Sequence, residues 1–120
     1  MRFADLQLAR RLERVEASGC ASHVLARART SPDGRAEVME LGRAFAAFDG
    51  VDSPITQCFG LGVLHPLDAE SLGAVERFFF DRGAAADLEV SPLVGAAALR
   101  LLCDRGYRPI ETSSVMYQDV

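Results

Sequence analysis

Two histidines, two tyrosines, three cysteines and no lysine bound the chemistry open to this 120-residue chain. Without lysine there is no Schiff-base or lysine general base. His65 precedes Pro66 where an apolar run gives way to a capped helix, which makes it the best placed titratable side chain for a general base. A local hydrogen bond at the turn is its plainer use. Tyr107 follows Arg105-Gly106 and is the other candidate, a proton donor if its hydroxyl is free and a packed ring if it is not. Cys20, Cys58 and Cys103 are odd in number, widely spaced and without a C-x-x-C, which suits small buried hydrophobes better than disulfides or a zinc site. His23 lies far from His65, and neither has carboxylates at ligand spacing, so no metal site is expected. Glu89 and Glu111 alternate along expected strands, the pattern of a solvated face. The serines lack a G-x-S-x-G context, which leaves a hydrolase without support.

These residues must be positioned by one domain, residues 1–120, since a chain of this length builds one core. Net charge is −4 with pI about 5.1, which argues against a nucleic-acid partner. No apolar run approaches the ~20 residues of a bilayer span, and Met1-Arg2-Phe3-Ala4-Asp5 does not open a secretory signal. A cytoplasmic protein without membrane insertion is expected. All thirteen basic residues are Arg, Asn is absent, and Ala fills eighteen positions, as in coding sequence from a GC-rich, bacterial genome.

Periodicity predicts a first helix capped by Asp5, with Leu6, Leu8, Ala9, Leu12 and Val15 on its apolar face and Gly19 as its stop. A second, about Ala21 to Arg29, precedes the Ser31-Pro32-Asp33-Gly34 turn. Strands are predicted at Glu37 to Leu41, Arg43 to Phe48 and Ile55 to Leu64, an antiparallel meander. Asp68 caps a helix that runs to Gly83, Ala86 to Val90 is a short strand, Leu93 to Asp104 a helix, and Tyr107 to Tyr117 a last strand. The order ααβββαβαβ is α+β with one βαβ unit, hence a mixed sheet flanked by helices.

From Ile55 onward this arrangement resembles the GNAT acetyltransferase superfamily. The resemblance rests on the strand with Gly60-Leu61-Gly62-Val63, the helix ending in Arg82-Gly83, the strand Leu88-Glu89-Val90, and the last helix. There Ala98, Leu101, Gly106 and Tyr107 match the family's A-x-x-L-Y-x-x-x-G-F signature. It implies a cleft between splayed parallel strands that holds acetyl-CoA and passes its acetyl group to an amine. By the same resemblance, the backbone of Phe59, Gly60, Leu61, Gly62 and Val63 is the candidate for the cofactor grip.

The chain departs from the family at two functional places. Where the family's Q/R-x-x-G-x-G/A loop binds pyrophosphate at a helix N-terminus, this chain reads His65-Pro66-Leu67-Asp68-Ala69-Glu70, whose carboxylates repel a polyanion. The family's proton-donating tyrosine is replaced by Leu102, and its nearby asparagine by Gly95. The chain therefore resembles the degenerate N-terminal half of a tandem acetyltransferase, non-catalytic on its own. No cofactor is firmly expected. The alternative is a binding or assembly module that dimerises, or docks on a catalytic domain, through the uncharged strand Thr112 to Tyr117. Phe80, third in a run of three phenylalanines, is the ring expected to be exposed.

Overall fold

A computed structural model describes residues 5–31 and 35–118. Asp5 has an extended backbone and its carboxylate accepts the Leu8 amide at 2.7 Å, which starts helix α1 (Leu6–Thr30) as expected. The helix does not stop at Gly19; the two helices expected are one of 25 residues. Ala17, Ala21 and Val24, on either side of the glycine, are all buried, and that packing outweighs the ~1 kcal/mol an interior glycine costs. A Cβ at Gly19 would meet nothing within 4 Å. Gly19→Ala is therefore expected to stabilise the chain by about 0.5–1 kcal/mol in urea unfolding. A loss of stability there would instead mark a break in the helix.

The meander is present. Strand β1 (Glu37–Leu41) pairs antiparallel with β2 (Ala44–Phe48), and β2 with β3 (Gln57–Phe59), in the order β1-β2-β3. Alternation sorts the side chains to two faces. Val38, Phe45, Ala47 and Phe59 pack with Ala17 and Val24 of α1. Met39, Leu41, Ala46, Phe48 and Cys58 pack on the other face with Val75, Phe78 and Phe79 of helix α2 (Ala69–Phe80). The result is α+β in three layers, α1, sheet, α2.

The expected strand Ile55 to Leu64 shrinks to three residues. Gly60 (φ +83°) and Gly62 (φ +99°) turn the chain, and the amides of Val63 and Leu64 close onto the Gly60 carbonyl at 3.4 and 2.8 Å. The short strand expected at Ala86 to Val90 reduces to one parallel bridge, Cys58 to Leu88. There the Cys58 amide donates to the Asp87 carbonyl at 2.8 Å, and the Cys58 carbonyl accepts the Glu89 amide at 2.9 Å. The parallel crossover β3–α2–Leu88 thus survives as a single residue pair.

Helix α2 starts at the Asp68 cap and ends before Gly83 (φ +72°), where the Ala84 amide returns to the Phe79 carbonyl at 3.0 Å. The last helix is split at Gly95 into a 3₁₀ turn (Pro92–Val94) and helix α3 (Ala96–Asp104). Tyr107 to Tyr117 is not a strand. It is exposed throughout its length beyond Tyr107 and pairs with nothing among the described residues, so its β propensity has no ladder to join. No described helix is long and apolar enough to cross a membrane.

Candidate functional site

The residues singled out by sequence fall into three places. Phe59, Gly60, Leu61 and Val63 are buried; Leu61 is in the α2-side core and Phe59 in the α1-side core. The Gly62 amide donates to the His65 carbonyl at 2.7 Å, and the Val63 carbonyl accepts from Arg10 Nε at 3.0 Å. Together with the Gly60 turn, this leaves the amides of residues 62–64 satisfied inside the chain.

His65 lies over the β1–β2 turn, close enough that a Cβ on Gly42 would sit 2.8 Å from its Nδ1. Three residues on, the Asp68 carboxylate accepts the Ser71 amide at 2.9 Å while the Asp68 amide donates to Ser71 Oγ at 3.1 Å. Hydrogen bonding of the carboxyl by Ser71, its backbone amide first, holds the Asp68 carboxyl below its usual range. The end of α2 that could receive an anion is filled by the chain's own carboxylate.

Tyr107 donates its hydroxyl to Glu76 Oε1 at 3.3 Å, and Arg105 Nη1 lies 2.6 Å from Glu76 Oε2. Burial, then the Glu76 carboxylate, pushes the phenol well above its ordinary value, so Tyr107 stays protonated. It fastens α3 to α2. Among the described residues His65 and Tyr107 share no partner, and Leu102 is buried on α3.

A carboxyl cluster that no sequence pattern predicts lies beside α1. Glu13, Glu16 and Cys20 recur at i, i+3 and i+7 on α1, and Glu89, read from alternation as solvated, is instead half-buried against them. Glu111 is exposed, as expected. Burial, then the charges of Glu89 and Glu16, pushes Glu13 up to about 7. Burial, then a hydrogen bond and charge repulsion with Glu16, pushes Glu89 up to about 7. Cys20 is raised by burial and by Glu16, and Cys58 is pushed up to about 12 by burial and Glu13, so neither thiol is activated. The periodicity on α1 was visible in the sequence; Glu89 enters only through the parallel bridge.

Glu13 and Glu89 therefore change charge near neutral pH rather than in the ordinary carboxyl range. Among the described residues no group of His, Cys, Asp and Glu is arranged to hold a metal. The open depression of about 590 Å³ lined by Arg35, Ala36, Glu37, Asp81 and Arg82 contains none of the cluster residues, and its Arg82 is paired with Glu37. Comparisons with protein-family models, with curated proteins and with solved structures found no match.

Raised carboxyl values fix the sign of a pH effect. The folded chain keeps protons that the unfolded chain releases above the ordinary value of 4.5, so stability falls as pH rises from about 4.5 to 7 and then levels off. Both groups are partly exposed; after solvent screening their combined effect is about 1 kcal/mol, or ~4 °C in Tm. Thermal melts by circular dichroism should show that decline, and Glu89→Gln should flatten it. A native profile unchanged from pH 5 to 7.5 would mean that the cluster is open to water.

Proposed function

We propose that this chain is a GNAT-like domain without an acyl-transfer site of its own, and that it works as an assembly module. The carrying observation is the segment Ile110 to Tyr117. It has the composition of a strand, is uncharged from Thr112 onward and pairs with nothing among the described residues, with Ile110 84% and Met116 93% exposed. Seven of the eleven large hydrophobics exposed among the described residues lie between Phe80 and Tyr117, so the uncovered apolar surface is concentrated in this part of the chain.

The GNAT-like reading is supported by the antiparallel meander, the crossover through α2 to a parallel pair, and the α3 signature residues. Loss of the acyl site is supported by the Asp68 cap and by Leu102 at the acid position. Acetyl-CoA is the cofactor of the resemblance and has no assigned place here. The partner is a second copy, or a second GNAT-like domain, met through the C-terminal segment.

Light scattering on the whole chain at micromolar concentration tests this reading. A mass near twice 13.0 kDa is expected. Val115→Asp places a charge in an exposed segment that makes no hydrogen bond within the described chain, so it should yield a folded monomer. A monodisperse wild-type monomer would remove the second copy as the partner, and acetyl transfer by the chain would remove the assembly reading altogether.

A further inference from the structure

We infer that the acceptor for the C-terminal segment is the backbone edge at Leu88 of a second copy, entered reciprocally by both chains; the inference rests on the assembly reading above and names its docking site. In the parallel bridge, Cys58 uses the Asp87 carbonyl and the Glu89 amide. The peptide groups flanking Leu88 therefore face β3, and the Leu88 amide and carbonyl point the other way. Among the described residues neither has a hydrogen-bond partner. The sheet ends there in one donor and one acceptor at the spacing a strand presents.

The opposite edge of the sheet, β1, carries two exposed carboxylates, Glu37 and Glu40, and such charges discourage strand addition. Beside Leu88 only Asp87 is exposed, because Glu89 is turned into the α1 cluster. The same chain carries a segment suited to enter that edge. Thr112-Ser113-Ser114-Val115-Met116-Tyr117 is uncharged, rich in strand-forming types and exposed along its whole length.

The same chain thus holds an unfilled edge and an unpaired segment of strand-forming residues that does not lie on it. Two copies related by a two-fold axis satisfy both at once, strand of each on edge of the other, and the arrangement closes without leaving a growing end. A second copy is accordingly the occupant to which the geometry points.

Amide hydrogen exchange on the wild-type chain, compared at micromolar and nanomolar concentration and with Val115→Asp, tests the site. Expected is protection of the Leu88 amide and of residues 112–117 that rises at least about tenfold with dimerisation. Both should be lost together in Val115→Asp, with protection in α2 unchanged. A dimer whose Leu88 amide stays unprotected, including one that protects β1 instead, overturns this site and leaves the assembly reading in place. A chain that remains monomeric at micromolar concentration overturns both.

Discussion

Acetyl-CoA titrated into this chain is expected to give no saturable binding, and no amine should be acetylated. Micromolar affinity would require about 8 kcal/mol from a phosphate grip. The two places that could supply it are already used. At the start of α2, Asp68 takes the Ser71 amide and presents a carboxylate where an anion would approach, with Glu70 exposed beside it. At the Gly60 turn, the amides of Gly62, Val63 and Leu64 are given to the carbonyls of His65 and Gly60. A phosphate would have to break those hydrogen bonds before making its own. Calorimetry showing a micromolar dissociation constant would overturn the account of both places at once, since removing only one obstacle still leaves the other.

The parts of this fold legible in the sequence are those where local and tertiary preferences agree. Apolar residues at Val38, Met39 and Leu41, then the apolar run Ala44 to Phe48, mark two strands whose faces α1 and α2 cover. Asp68 and Gly83 bracket α2 because a cap and a positive-φ stop are local chemistry. Gly19 misled because a propensity of about 1 kcal/mol is smaller than the burial of Ala17, Ala21 and Val24 around it. Gly60 and Gly62 misled in the opposite sense: an apolar run suggested a continuous strand, whereas the backbone at both glycines takes positive φ and turns.

Tyr107 to Tyr117 shows a different limit. Strand propensity describes what a segment can do beside a neighbour, and the neighbour is not read from the segment itself. The carboxyl cluster was hidden for a related reason. Glu13 and Glu16 share a face of α1 by spacing, but Glu89 reaches them through the β3–α2–Leu88 crossover, which no local pattern encodes.

Gly62→Ala is expected to cost about 2–4 kcal/mol in urea unfolding, combining backbone strain with overpacking. Gly62 has φ +99°, a conformation that a side chain resists. Its hypothetical Cβ would overlap Val94 Cγ1 and lie 3.1 Å from Val94 Cβ and 3.6 Å from Leu67 Cβ. Val94 is branched at Cβ and sits in the 3₁₀ turn that leads into α3, so its side chain cannot swing aside freely. The displacement should therefore pass to α3 and loosen Ala98, Leu102 and the Tyr107–Glu76 hydrogen bond, seen as faster amide exchange in residues 96–107. Gly50→Ala separates the two contributions. Gly50 has φ +115° but nothing within 4 Å of a Cβ, so its substitution carries backbone strain alone, about 1–2 kcal/mol. Equal losses in the two variants, with α3 exchange unchanged, would show that the close approach of Gly62 to Val94 does not hold the last helix in place.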